Sequence, residues 1–409
     1  MRVLVIGAGA AGMTAAGFAA GRGADVTMVE RNARPGRKLM ITGKGRCNVT
    51  NHCTLAQYLE NIPGNPKFLY SAVSAFGPEA TMAFFEKQGV PLKVERGRRV
   101  FPVSDHAADI VDALARFCRQ AGCRTVEGRA TALLTREGRA AGVELEDGRH
   151  LAADAVILCT GGVSYPATGS TGDGYALARQ AGHTIVPPSP SLVPVVTVEH
   201  WPAEAQGLSL RNVTLTVTDG EKPRPVFEEL GEMLLTHFGV SGPLVLSASA
   251  HMRGMRPGRY RLHIDLKPGL SAEQLDRRLQ RDFLKYAGRD LINSLHDLLP
   301  SSLVPVAVEL SGLDPHCRVS QLTREMRGTL AARLKDMPLT AAGFRPVEEA
   351  IVTSGGVSVR EVDPKTMESR KLPGLYIAGE LLDVDGFTGG YNLQIAFSTG
   401  YAAGHAVPV

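Results

Sequence analysis

Val3-Leu4-Val5-Ile6 runs into Gly7-Ala8-Gly9-Ala10-Ala11-Gly12, then an alanine-rich stretch to Gly23, then Val26-Thr27-Met28-Val29-Glu30. The order is strand, tight turn, helix, strand, acid. Gly7 allows the tight turn, Gly9 lets the main chain approach a pyrophosphate, and Gly12 lets the helix lie close to the strand. The helix start, with Ala10 and Ala11, presents unpaired N–H groups to phosphates. Glu30 falls at the end of the second strand, where a carboxylate binds the ribose hydroxyls of an adenosine. Gly-x-Gly-x-x-Gly alone is a weak signal; in this setting it implies a bound dinucleotide.

Working outward, 409 residues suffice for two or three domains. A formal charge of +4 does not by itself demand a nucleic acid partner. The charge is uneven, however. Arg31, Arg34, Arg37, Lys38, Lys44 and Arg46 fall in one stretch, and Lys93, Arg96, Arg98 and Arg99 in another. Such clusters form a solvated face, neutralise a cofactor's phosphates, or receive a polyanionic substrate. Cysteines 47, 53, 118, 123, 159 and 317 show no zinc-type spacing, so no metal is expected. The first strand starts almost at Met1 without a signal-peptide pattern, and no apolar run reaches membrane-spanning length. The expectation is a soluble, cytoplasmic protein with free thiols and no membrane partner.

The pattern predicts an α/β fold: a Rossmann-like domain interrupted by an inserted antiparallel module. Residues 1–190 form its first part, with helices expected at 65–77, 78–89 and 105–121 and strands at 125–127, 140–146 and 155–159. Asp147-Gly148 reads as a hairpin turn, and Pro187-Pro188-Ser189-Pro190 as a stiff crossover. The insert, 191–345, has strand patterns at 193–198, 213–217 and 260–266. Its helical part, about 271–335, has helices predicted at 271–288 (capped by Ser271), 291–298 and 319–335. Residues 346–409 complete the first domain, with strands near 350–353 and 375–378 and a closing helix at 393–406.

Three further glycine-rich blocks suit close backbone approach to a ligand. Gly36 to Asn51 fits a loop along a phosphate or a polar ring edge, and Thr160-Gly161-Gly162 to Gly174 follows a strand. In the third, Gly379-Glu380 precedes Gly389-Gly390-Tyr391-Asn392-Leu393-Gln394 at a helix start. A carboxylate there binds a polyol chain, and the helix terminus stabilises negative charge on a flavin. Two anchors at opposite ends of the chain favour FAD over NAD as the tightly held cofactor.

These blocks, with Gly231 to Pro243 and Thr353-Ser354-Gly355-Gly356-Val357, resemble the flavoprotein family of BaiN-like NAD(P)/FAD-dependent oxidoreductases along the whole chain. The resemblance implies an FAD domain, an inserted β-barrel-like substrate domain and a small helical domain. Gly7, Gly9, Gly12 and Glu30 would hold the ADP half of FAD. Lys38, Arg46, Gly162, Gly379, Glu380, Gly390, Asn392 and Leu393 would line the rest of its path, with Ala10, Ala11, Arg31, Cys47 and Gly161 beside them. Members of the family are linked to reduction of carbonyl-conjugated double bonds in steroid-like acids, to aminoketone oxidation, and to dihydrouridine formation in large-subunit ribosomal RNA.

Hydride addition to an enone-like carbon needs a carbonyl donor and a nearby acid. His237 in Thr-His-Phe-Gly is the first candidate, against a structural role. Cys47 is a second, since the Arg46 cation lowers a thiol's pKa, against an inert buried cysteine. Arg46 is read either at the substrate carbonyl or at a phosphate; Tyr165 and Tyr391 are weaker candidates. There is no second Gly-x-Gly-x-x-Gly unit, so NAD(P)H would dock transiently as reductant. An oxygen-using oxidase and an RNA-associated or redox-sensing flavoprotein without turnover stand as the other readings. Oligomeric partners are not legible.

Overall fold

The computed structural model describes residues 1–409, which divide into two compact units, Met1–Ser191 with Val347–Val409, and Leu192–Pro346. The first is built on a five-stranded parallel sheet. Its strands are β1 (Arg2–Ile6), β2 (Asp25–Glu30), β3 (Arg124–Glu127), β4 (Ala155–Leu158) and β5 (Leu375–Ile377), in the order β5-β4-β1-β2-β3. Val3 to Ile6 and Ala155 to Leu158 are buried continuously, as central parallel strands covered on both faces must be.

Helix α1 (Ala10–Gly21) is apolar on nearly all sides because it is covered on nearly all sides. Helix α2 (Ala107–Gln120) packs so tightly on it that a methyl group at Gly17 would sit 2.2 Å from the Phe117 ring. The closing helix α3 (Tyr391–Ala406) lies on another side of α1. There, a Cβ at Gly400 or Gly404 would stand 2.4 Å from the Ala11 or Ala15 carbonyl oxygen. The Phe18 ring closes this seam edge-to-face on Tyr401.

Several predicted elements take a different form. The proline run is a strand, Ile185–Ser191, paired antiparallel with Val352–Val357. The register shifts between Val186 and Ser189, which places Pro187 and Pro188 at an irregularity where a missing N–H costs little. Residues 65–77 divide after Leu69 into a 3-10 turn (Pro66–Leu69) and a short helix (Tyr70–Ala75). The 291–298 helix is only a 3-10 turn, Leu291–Asn293; Leu291, Leu295 and Leu298 turn inward without completing a periodic face. Residues 319–335 break at Thr323, whose hydroxyl caps Arg324–Lys335. The Gly36–Asn51 block holds a helical turn, Arg37–Ile41, and a two-residue strand, Thr50–Asn51.

The second unit is a closed antiparallel barrel. Around it run Val195–Thr197, Gly239–Ser241, Phe227–Thr236, Ser209–Asp219, Tyr260–Asp265 and Met337–Phe344. Inward residues alternate along each strand, as Val213, Leu215 and Val217 do. Helix Ala272–Lys285 begins at Ser271 with a capping box to Gln274 and buries Leu275, Leu279 and Phe283. No helix of the chain is long and apolar enough to cross a membrane.

Gly400→Val is expected to cost about 1–3 kcal/mol or more, since the added atoms meet rigid main chain. Gly328→Ala, inside the Arg324–Lys335 helix with open space around its Cβ, should instead add up to about 1 kcal/mol. Thermal melts of the two variants should move in opposite directions.

A buried histidine adds a pH dependence. His183 Nε2 is 2.7 Å from the Ser369 hydroxyl and Nδ1 is 3.4 Å from Glu361. The Ser369 oxygen accepts the N–H groups of Lys371 and Leu372. Burial holds the His183 pKa below its ordinary value of 6.5, against the opposing pull of Glu361. The unfolded chain therefore takes up this proton first as pH falls. Stability from this group is complete above about pH 6.5 and is lost below it, at up to about 1.4 kcal/mol per unit, until the depressed value is reached. Urea midpoints between pH 7.5 and 5 should show that slope, and His183→Gln should flatten it.

Candidate cofactor and catalytic site

At the end of β1, Gly7 has φ of +98° and a Cβ there would lie 2.6 Å from the Cys159 carbonyl oxygen. A Cβ at Gly12 would overlap the Gly7 carbonyl oxygen at 1.8 Å. Gly9, the residue before α1, differs: nothing lies within 4 Å of its added Cβ. Two glycines are thus required by the protein's own packing, while the third borders free space at a helix N-terminus with no side-chain cap. That is a cradle a side chain would fill, and it suits a pyrophosphate.

Glu30 is buried at the end of β2. One carboxylate oxygen accepts the Ala8 N–H at 2.8 Å, and the other accepts the Asn32 main-chain and side-chain N–H groups at 2.9 and 2.7 Å. These bonds fix the carboxylate beside the glycine turn. Arg31 turns instead to Thr171 (2.5 Å) and Asp173 (3.2 Å). Asp173 also takes a bidentate pair from Arg129, and that guanidinium holds its carboxyl below the usual range.

A second cluster joins the two ends of the chain. Glu380 accepts Lys38 Nζ at 2.6 Å on one oxygen, and Ser164 Oγ (3.1 Å) and the Thr353 N–H (2.9 Å) on the other. Lys38 also donates to Ser164 at 2.6 Å. Thr353 Oγ1 accepts the Val163 N–H at 2.9 Å, and a Cβ at Gly162 would strike that hydroxyl at 2.3 Å. Gly161 has φ of +76°. Gly379, at φ +75°, has its N–H bonded to Thr399 and no room for a Cβ beside Ala11. Glycine is needed at Gly390 too, where φ is +98° and a Cβ would meet the Thr50 carbonyl at 2.4 Å.

Asn392 closes the preceding loop upon itself: its oxygen accepts the Gly386 N–H and its amide donates to the Gly386 and Phe387 carbonyls. Its role lies in shaping the α3 start, beside half-buried Leu393. Gln394, fully buried, is the larger hub. It accepts from Thr50 and donates to Phe76, Thr81 and Ser398.

The proposed chemical residues fare unequally. Arg46 pairs with Glu95 and Asp105 and stacks over Phe101 at 4.2 Å, so its guanidinium is already committed. Cys47 is fully buried, and burial pushes its thiol up to about 12. The neighbouring cation does not activate it, because Arg46 points its charge at carboxylates. His237, in the second unit, sits exposed at the turn between Phe227–Thr236 and Gly239–Ser241, edge-to-face with Phe238 at 5.0 Å. Tyr391 packs on Tyr58, and Tyr165 occupies a left-handed turn at φ +51°. Ser164, Thr353 and Gln394 were not assigned from the residues. Thr353 and Gln394 stood in quoted motifs, but which polar residue pairs with Glu380 or Thr50 has no local signature.

A Rossmann turn with a free cradle, and a carboxylate–lysine cluster contributed by both chain ends, define an FAD-binding oxidoreductase of the Rossmann fold. The family model described as HI0933-like protein Rossmann domain matches residues 1–406, and the chain belongs to that family. It is 35% identical over 412 residues to the 3-dehydro-bile acid delta(4,6)-reductase of Clostridium scindens, covering 99% of this chain and 98% of the relative. The ribosomal RNA dihydrouridine synthase of Escherichia coli is 33% identical over 401 residues, covering 98% and 96%. Among solved structures, the 3-ketosteroid delta1-dehydrogenase of Sterolibacterium denitrificans has a similar fold, with a TM-score of 0.51, 14% identity and 98% coverage of both chains.

The residues present fit FAD. The N–H groups at Gly9 to Gly12 would hold the pyrophosphate, Glu30 a ribose, and the Glu380 cluster with the Gly390 turn the far half. Gly9→Leu is expected to give folded protein with an unchanged melting temperature when stripped of flavin, and FAD affinity reduced by about two orders of magnitude or more. Gly12→Ala should fail at the level of folding. Circular dichroism with flavin titration separates the two.

Proposed function

We propose that this chain reduces a carbon–carbon double bond conjugated to a carbonyl. One observation carries the reading. Two relatives, each matched over at least 96% of its own length, are named for a bile-acid reductase and for a dihydrouridine synthase. Their substrates differ greatly, yet both names describe saturation of a double bond next to a ring carbonyl. Bound FAD supplies the hydride. The chain's own part is to seat the cofactor between Glu30 and Glu380, to exclude water, and to deliver a proton beside the carbon that receives hydride.

We assign that proton to His237. It is exposed and has no carboxylate partner, whereas Cys47 is sealed and a poor acid. NAD(P)H is the proposed transient reductant and a cytoplasmic setting the proposed location. His237→Gln should lower turnover by about 10²–10⁴-fold, with flavin content and flavin reduction unchanged. Rapid-mixing experiments that time flavin reduction and reoxidation separately check this.

The substrate has two readings. A small carbonyl-conjugated acid accords with the bile-acid relative. A ribosomal RNA substrate draws support from Arg96, Arg98 and Arg99, all exposed and without a carboxylate partner. They form the tip between strands Leu92–Glu95 and Arg99–Pro102. Asn51 ties that tip to the cofactor end, donating to both the Gly97 and Gly389 carbonyls at 3.0 Å.

Anaerobically reduced enzyme should be reoxidised by an enone acid or by unmodified ribosomal RNA, far faster than by oxygen. Rapid reoxidation by oxygen alone would overturn the reductase reading. On the RNA reading, replacing the three arginines by alanine should weaken RNA binding and lower its salt slope by about 2–3, leaving enone turnover intact.

A further inference from the structure

The end of α2 carries an unused pair of thiols. The helix closes with the Cys123 N–H bonded to the Cys118 carbonyl at 3.0 Å and the Gly122 N–H to the Arg119 carbonyl at 3.1 Å. Gly122 has φ of +88°. These two bonds make a Schellman closure, which brings the side chains three residues inside the helix end and two beyond it into contact. Apolar side chains usually fill those positions; here both are cysteines. Neither cysteine is in a disulfide.

The two thiols differ in access and in chemistry. Cys118 is buried against α1, where its S–H also reaches the Met13 carbonyl at 3.1 Å. Cys123 is only partly buried. The neighbouring Cys118 thiol holds the Cys123 thiol below its ordinary value, while Cys118 itself is pushed far up by Cys123 and by burial. A partly exposed thiolate backed by a second thiol is the arrangement of a peroxide-sensitive site.

We propose that Cys118 and Cys123 form a reversible modification site that takes hydroperoxides as its oxidant. The Cys123 thiolate attacks a peroxide oxygen and becomes a sulfenic acid, the O–O bond breaking to release hydroxide or an alkoxide. The Cys118 sulfur then displaces hydroxide from that sulfenic sulfur. Two thiols and one hydrogen peroxide give one disulfide and two waters. The bond requires no helix unwinding, because the Schellman turn already holds the two residues side by side. It withdraws the Cys118 S–H from the Met13 carbonyl, the thiol's link between α2 and the helix that begins at the phosphate cradle.

The test uses flavin-loaded protein treated with hydrogen peroxide, then alkylated in denaturant and mapped by mass spectrometry. The expected product is 2 Da lighter, has lost alkylation at Cys118 and Cys123 only, and returns to the starting mass with dithiothreitol. Cys118→Ser should trap a dimedone-reactive sulfenic acid at Cys123, and Cys123→Ser should leave Cys118 unmodified. Full alkylation of both cysteines in the wild-type protein, after exposure sufficient to oxidise the exposed Met40, would overturn the proposal. So would a dimedone adduct at Cys118 rather than Cys123. The wild-type mapping stands alone should either variant fail to fold.

Discussion

Helix α3 approaches α1 so closely that a methyl group at either Gly400 or Gly404 would overlap main-chain carbonyls of Ala11 or Ala15. This seam joins residues nearly four hundred positions apart, and the proposed cofactor site depends on it. α1 carries the proposed phosphate cradle at its N-terminus, while α3 carries the Gly390 turn at its own. With the helices in backbone contact, the two termini cannot slide independently. Gly379 extends the same constraint, since its backbone lies against the Ala11 methyl. Packing of small residues here sets the distance between two anchors, and dispersion forces between close-packed surfaces hold it.

The Glu380 cluster adds a polar version of the same tie. Lys38 and Glu380 are separated by most of the chain and meet at 2.6 Å, each about one-fifth exposed. An ion pair in such surroundings gives little net stability unless its remaining hydrogen bonds are satisfied. Ser164 and the Thr353 N–H satisfy them. The arrangement therefore serves orientation more than stability: it pins the Gly161-Gly162 turn, the Gly36 block and the Gly379 turn to one carboxylate. Truncating Lys38 or Glu380 would leave the other charge largely buried and without its ion-pair partner.

The first thirty residues were fully legible because each local requirement has its own sequence mark: a glycine for positive φ at Gly7, another for close approach at Gly12, an acid at the strand end. The parallel sheet, the inserted sheet module and the Ser271 cap followed from periodicity and capping. The misread segments share a cause. Pro187 to Pro190 looks like a breaker because local chemistry cannot show that Val352–Val357 will pair with it at a register shift. Residues 291–298 look helical because the spacing of Leu291, Leu295 and Leu298 mimics a helical face. Gln394 stood in plain sight, but three of its four partners, Thr50, Phe76 and Thr81, lie more than three hundred residues away. Long-range pairing has no local signature.

Charge was the least reliable guide, and the reason is instructive. Cations of the same basic stretch have different fates. Lys38, Arg46 and Lys93 are consumed by Glu380, Glu95 and Asp105, carboxylates that lie tens to hundreds of residues from most of them. Neutralised within the fold, these cations contribute little to the field that an approaching ligand meets. Arg96, Arg98 and Arg99 differ because they sit at the tip of a hairpin, where the adjoining segment offers an amide, Gln57, rather than a carboxylate. A cationic cluster is free to receive an anion only where the topology withholds the fold's own carboxylates. The outward-facing charge of this protein is therefore decided by which strands are joined by a tight turn, not by where lysine and arginine are densest along the chain.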